Sequence, residues 1–164
     1  MPSLLIVYHS DTGGTLQMVR AALAGAASAD SAVGARLLHA DAAKSADLIA
    51  ADGFLFATPE NLAAMSGVLK AFFDRTYYAV LDRLIARPYA MLICAGSDGT
   101  NAARQIERIA TGWRLKPIAP PLIVCTHAQS PEEIARPKYI GPADIARCSE
   151  LGATLAGGLA LGIF

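Results

Sequence analysis

Three observations predict an α/β fold in which a parallel sheet is covered by helices on both faces. Apolar, β-rich runs alternate with stretches of helical spacing along all 164 residues, the pattern of strand–crossover–strand units with right-handed connections. The first run, Leu4-Leu5-Ile6-Val7, is continuously apolar, as a strand buried on both faces requires. Neither a repeat nor a low-complexity linker interrupts the alternation, and a hydrophobic content of 54% supplies one sizeable core. One globular domain over 1–164 is therefore expected.

After the first strand the spacing predicts a helix over 15–29, a strand over 33–39 and a short helical or irregular link over 40–47. The third strand is expected over 53–58, followed by a long helix over 66–84. A fourth strand over 89–95 and a helix over 101–115 come next. Residues 117–126 hold the fifth strand; their prolines push its extended core towards Leu122 to Cys125 and suggest an edge position. The last helix runs from about Pro142 to the end. Its final stretch, Leu151 to Phe164, lacks charge but falls short of the roughly 20 residues needed to span a membrane. Gly152, Gly157, Gly158 and Gly162 lower its helicity and allow close approach to a neighbouring element or a second subunit.

Fourteen basic and fourteen acidic residues cancel, so the charge balance points to neither nucleic acid nor an anionic membrane. Cys94, Cys125 and Cys148 are odd in number and lack C-x-x-C spacing, which argues against a disulfide framework or a zinc site and for a reducing compartment. No secretory signal is visible at the N-terminus, and a cytoplasmic location is the expectation.

Functional residues are expected in the loops at the carboxyl ends of the first, third and fourth strands, where open parallel sheets bind ligands. The first loop, Ser10-Asp11-Thr12-Gly13-Gly14-Thr15, joins a strand end to a helix start. Helix N-termini carry unpaired N–H groups and partial positive charge, the glycines admit a phosphate close to the backbone, and the hydroxyls add donors. The same residues also suit an ordinary helix cap, with Ser10, Asp11 or Thr12 capping and no ligand. A Walker A loop is excluded because Gly14 is followed by Thr15 instead of lysine, and a dinucleotide fingerprint because only two glycines are present.

The spelling Ser10-x-Thr12-Gly13-x-Thr15 resembles the S/T-x-T-G-x-T loop by which flavodoxin-like proteins hold the terminal phosphate of FMN. The third loop, Thr58-Pro59-Glu60-Asn61-Leu62-Ala63-Ala64-Met65-Ser66, and the helix opening Gly67-Val68-Leu69-Lys70-Ala71-Phe72-Phe73-Asp74-Arg75 resemble the flavin-ring loop of one branch of that superfamily. The branch is that of NADPH-dependent FMN reductases and NAD(P)H:quinone oxidoreductases. Cys94-Ala95-Gly96-Ser97-Asp98-Gly99-Thr100-Asn101 resembles its third flavin loop, and residues 101–115, with Trp113, have the look of the same family. The chain departs from the quinone-reductase subgroup in having no long insertion after the fourth strand.

The resemblance implies a flavodoxin-like three-layer sandwich with a five-stranded parallel sheet in the order 2-1-3-4-5. It implies FMN as cofactor and NADPH or NADH as reductant. Amides after Pro59 would bond the polar edge of the isoalloxazine, Leu62 and Met65 would touch its face, and Gly96 and Gly99 would let backbone approach while Ser97 or Asp98 supplies a hydrogen bond. Residues 59–64 also suit a plain surface connection capped by Ser66 with Met65 as core filler, and 95–101 a turn plus cap. Lys70, Asp74 and Arg75 read as structural, and Trp113 as core or subunit contact.

The chemistry is the flavin's, so no protein acid or base is required. Strand three ends in Ala57-Thr58-Pro59 and lacks the acidic residue of a phosphorylated receiver domain, and no Cys-x5-Arg of a tyrosine phosphatase is present. His9, His39 and His127 lack metal-ligand spacing. Two functions remain: an oxidoreductase passing hydride through FMN to a quinone, a flavin or another small acceptor, and a flavodoxin-type electron carrier. Carriers typically have a strongly acidic surface; neutrality favours the reductase. Relatives in the reductase branch are often homo-oligomers, so a homodimer or homotetramer is an expectation of the resemblance.

Overall fold

The computed structural model describes residues 1–164. Seven strands and six helices follow one another as β1 (Ser3–Tyr8), α1 (Gly14–Ala29), β2 (Gly34–His39), α2 (Ser45–Ala50), β3 (Gly53–Asn61), β4 (Ala64–Met65), α3 (Gly67–Val80), β5 (Pro88–Ala95), α4 (Thr100–Gly112), β6 (Lys116–Pro117), β7 (Leu122–Cys125), α5 (Pro131–Ala135) and α6 (Pro142–Leu161). Strands β2, β1, β3 and β5 pair in that order, all parallel. The edge next to β5 is made in two pieces: β6 pairs with Pro88 and Tyr89, and β7 with Leu92 to Ala95. The expected order is therefore present, with the fifth strand broken. Pro120 and Pro121 fall in the break, and a residue without an N–H cannot donate to the ladder.

Successive side chains of each central strand go to opposite faces. Leu5, Val7, Phe54, Phe56 and Met91 enter a core shared with α2, α3 and α4, while Leu4, Ile6, Leu55 and Leu92 enter one shared with α1 and α6. Trp113, 1% exposed, stacks on Tyr77 in the first of these cores and donates its indole N–H to the Tyr77 carbonyl. It is a core residue.

Helices α1 and α6 lie against each other through small residues. A Cβ on Gly152 would come within 1.9 Å of the Ala22 carbonyl oxygen, and one on Gly25 within 1.9 Å of that of Ser149. The close approach allowed by Gly152 is thus made within the chain. No helix is long and apolar enough to cross a membrane.

Several boundaries differ from the sequence expectation. The helix expected over 66–84 stops at Val80, and Asp82 and Ala86 take left-handed φ of 63° and 65° before Pro88 opens β5. Residues preceding a proline are disfavoured in helix, which helps to end the turn of chain there. In place of the link over 40–47, a helix begins at Ser45. The Asp47 carboxylate accepts the Lys44 N–H at 2.9 Å and pairs with Arg36 at 2.6 Å. Burial alone would raise the pKa of Asp47; these bonds and the charges of Arg36 and Lys44 hold it below its ordinary value. Arg87 donates to the carbonyls of Leu48, Ile49 and Ala51 at the other end of α2, and Arg75 to those of Ala40 and Ala43. Lys70 and Asp74 form an exposed pair one turn apart. Lys70, Asp74 and Arg75 thus make their contacts within the chain's own framework.

The largest topological difference is the third loop. Strand β3 runs on to Asn61 and returns as β4, with Asn61 opposite Ala64 and Glu60 opposite Met65. What the sequence suggested as a connection is a β-hairpin. Its two turn residues, Leu62 and Ala63, take φ of 50° and 63°, the left-handed pair that suits a two-residue hairpin turn.

Candidate functional site

A cleft of about 530 Å³ opens at the carboxyl ends of β1, β3, β5 and β7. Its volume lies in the range of small-molecule sites. The first loop contributes Asp11 and Thr12, the β3–β4 hairpin Pro59, Glu60, Asn61 and Leu62, and the loop after β5 Cys94, Ala95, Gly96 and Ser97. Three loops far apart in sequence converge as expected. A fourth wall comes from residues 126–141, a strap between β7 and α6, through Thr126, Ala128, Gln129, Ile134 and Lys138.

The first loop is built to leave donors free. Gly13 sits at the N-terminus of α1 with φ 90°, a conformation that costs L side chains dearly. Ser10 Oγ accepts the Leu16 N–H at 3.2 Å, and the Gln17 N–H bonds the Gly13 carbonyl at 3.1 Å. The five N–H groups of residues 11–15 donate to no acceptor in the chain. Thr15 is 1% exposed, and its buried hydroxyl has no hydrogen-bond partner either. Buried polar groups are nearly always paired, so the Thr15 hydroxyl stands out, and with the open N–H donors of a helix N-terminus beside it the arrangement suits an anion. Gly13 is the N-cap and makes no side-chain cap bond, so Ser10 satisfies one N–H of the first turn while the remaining loop donors stay open.

Gly14 faces Cys94, where a Cβ would come within 2.5 Å of Sγ. Burial pushes the Cys94 thiol up to about 11 despite the nearby Lys138 charge, so it stays protonated at neutral pH and is no nucleophile. Cys148, raised to about 11 by burial, is equally inert. His9 lies outside the cleft. Its Nε2 is 3.3 Å from Asp11 Oδ1, its ring meets His39 edge-on, and its buried Nδ1 has no partner.

The hairpin is tied to both neighbouring loops. Asn61 donates to Asp11 Oδ2 at 2.8 Å, the Gly99 N–H donates to Glu60 Oε2 at 2.6 Å, and Asn101 donates to the Ala63 carbonyl at 2.6 Å. Thr58 is fully buried below the cleft, donating to the Pro59 carbonyl and accepting the Ser66 N–H. Met65 is 5% exposed within the core, its N–H bonded to Gln105 Oε1, and lines no part of the cleft; Leu62 stands fully exposed at the tip. Of the two apolar ring contacts expected, only Leu62 is at the cleft. Asp98 folds back to cap Thr100, and neither it nor Gly99 lines the cleft, in keeping with the turn-plus-cap alternative. Ala63, exposed beside Leu62 in the hairpin turn, does not line the cleft, and neither do Ser10, Gly13, Gly14 and Thr15 of the first loop.

Sequence reasoning missed the strap. The signal was available: sixteen residues, 126–141, separate β7 from α6, long for a connection in an α/β unit, and they leave a strand at its carboxyl end.

Fold and cleft together define a flavodoxin-like protein, with a cleft at the carboxyl edge of a parallel sheet ordered β2-β1-β3-β5 and closed by β6 and β7. Residues 30–129, more than half of the chain, match the model of the NADPH-dependent FMN reductase family, and the chain belongs to that family. A flavodoxin of Aquifex aeolicus (strain VF5) is 35% identical over 74 residues, a match spanning 45% of this chain and 40% of that protein. Among solved structures, a flavodoxin from the domain Archaea superposes with a TM-score of 0.77 at 18% identity, covering 96% of this chain and 99% of its own. A flavodoxin, WrbA-like protein from Agrobacterium tumefaciens gives 0.68 at 20% identity, covering 98% and 99%. At those identities the structures bear on the fold alone. The family is an FMN-binding one.

Proposed function

We propose that residues 1–164 act as one FMN-binding unit and as an NAD(P)H-dependent oxidoreductase for a small acceptor. The open donor set of residues 11–15 carries the reading, because it fits a phosphate monoester at one end of a cleft large enough for a flavin. The loop-one amides and the Thr12 and Thr15 hydroxyls hold the phosphate. Amides of the hairpin after Pro59 and of residues 95–97 face the ring, and Leu62 covers it. Bound there, FMN would supply the redox chemistry that links NADPH or NADH to a quinone, a free flavin or a similar acceptor. The chain's own part is to bind, orient and shield. No acid or base of the protein is needed.

The Aquifex relative carries the name flavodoxin, which favours a second reading as an electron carrier. A net charge of zero weighs against it, since docking of a carrier is helped by a charged surface. The absorption spectrum of the purified protein, reconstituted with FMN, desalted and treated with NADPH without oxygen, separates the two. A flavin spectrum bleached by NADPH is expected. Bound flavin that stays oxidised would make the protein a carrier, and failure to retain flavin would remove FMN from the site.

A further inference from the structure

We propose that Lys138, delivered by the strap, is a cationic clamp that reads the ligand's phosphate and makes the cleft selective for phosphorylated over unphosphorylated flavin. The inference rests on the FMN reading above and adds to it a residue outside both the loop motif and the matched span 30–129.

The cleft has a charge problem that Lys138 answers. Its lining includes two carboxylates, Asp11 and Glu60, and a single cation, Lys138. Asp11 sits on the first loop itself, where an incoming phosphate would meet its charge. Glu60 is engaged by the Gly99 N–H and Asp11 by Asn61 and His9, so neither pairs with the lysine. The Lys138 ammonium has no carboxylate partner anywhere in the chain. It is held instead by the carbonyls of Ile134 at 2.8 Å and Arg136 at 2.5 Å, with Nζ 3.3 Å from Thr12 Oγ1. A lysine charge held by neutral oxygens beside unpaired N–H donors is arranged for an anion that the chain does not supply.

Its position is fixed from both sides. The Lys138 N–H donates to the Thr12 carbonyl at 2.9 Å. Gln17, one turn into α1, donates to the carbonyls of Gly13 at 2.9 Å and Lys138 at 2.7 Å, and accepts the Ile140 N–H at 3.0 Å. Loop and strap are thereby stitched into one unit. The other end of the strap is set by α5, whose Ser130 and Glu133 cap each other's backbone. The buried, unpartnered hydroxyl of Thr15 at the same helix N-terminus is the independent sign that this end of the cleft takes a ligand.

Lys138 also caps the end of α5, so a structural role is the rival explanation, and the test must separate the two. Dissociation constants for FMN and riboflavin are measured by flavin fluorescence for the parent protein, Lys138→Met and Lys138→Arg, at low and high salt. Lys138→Met is expected to weaken FMN about 10- to 100-fold, the scale of a lost charge-assisted hydrogen bond, and to leave riboflavin within about twofold. Lys138→Arg should restore most of the preference. The parent's preference for FMN should shrink as salt rises, and that of Lys138→Met should respond less. Equal weakening of both flavins would mean that the lysine only holds the strap, and unchanged FMN binding would mean that it does not touch the phosphate; either overturns the clamp while the FMN reading stands. Inorganic phosphate gives a second readout, since it should raise the melting temperature of the flavin-free parent more than that of Lys138→Met. Lysine-dependent protection by phosphate in a protein that binds no flavin would support the clamp and defeat the flavin reading. Equal protection of both proteins would overturn the clamp.

Discussion

The two ends of the cleft are built on opposite plans. At the hairpin end the polar groups are satisfied within the chain: Glu60 by Gly99, Asn61 by Asp11, the Ala63 carbonyl by Asn101 and the Met65 N–H by Gln105. At the first loop five consecutive N–H groups and the Thr15 hydroxyl have no partner in the chain, and the Lys138 ammonium has no counter-charge. One end is a rigid shape, and the other is a set of donors awaiting an acceptor. An unsatisfied buried donor costs about 1–3 kcal/mol, a cost that falls on the Thr15 hydroxyl, while the N–H groups beside it are the open donors of a helix N-terminus. On the proposed reading, the difference would let one cleft orient an apolar ring by shape and anchor a charged tail by hydrogen bonds.

The contrast is most directly broken at the first loop. Replacing Thr12→Val together with Gly13→Ala removes a hydroxyl and forces a side chain onto a backbone at φ 90°. FMN binding should fall about 100-fold or more, with about 1–2 kcal/mol of strain from the left-handed alanine as one part of it. Flavin titration checks this, and undiminished affinity would remove the phosphate from loop one. The hairpin end should be less sensitive. Glu60→Ala leaves the Gly99 N–H without its carboxylate and is expected to weaken FMN about tenfold, or about 1.4 kcal/mol, and to lower the melting temperature. Glu60→Gln, which keeps an acceptor oxygen, should do less. A larger loss from Glu60→Ala than from the loop-one double substitution would reverse the roles assigned to the two ends.

The smallest effect is expected at the strap. Hydrogen bonds from the N–H of Gln129 and then of Ser130 hold the exposed Glu133 carboxylate below its ordinary 4.5. A depressed folded pKa stabilises the cap above that ordinary value, and the stabilisation is lost as pH falls through the lowered one. Amide exchange over residues 129–138 should therefore lose protection as pH is taken below about 4.5. The loss should be absent in Glu133→Gln, whose cap is weakened at every pH. Protection indifferent to pH in the parent would detach the cap from the placement of Lys138.

Much of the architecture was legible in the sequence because it depends on local pattern. Continuous apolar runs marked strands buried on both faces, and glycine and hydroxyl residues after the first run marked a helix start with free donors. The boundaries misread were those where a tertiary contact overrides spacing. Residues 81–84 fall in the expected helix yet leave it on the way to Pro88, and α2 spans Ser45–Ala50, its start bonded by Lys44, Asp47 and Arg36. The hairpin was missed because Leu62-Ala63 is not a sequence that announces a left-handed turn; bonds to Gln105 and Asn101 of α4 hold it there.

By itself the sequence determined the α/β class and the three loops that meet at the carboxyl edge, since these follow from periodicity and turn chemistry confined to neighbouring residues; the strand order was implied by family likeness alone. Only the tertiary structure decided which loop residues face the cleft, turned Met65 into the core and Leu62 out to the tip, and brought Lys138 to Thr12 across 126 positions of chain. Such contacts join segments whose local patterns carry no information about each other, and packing alone brings them together.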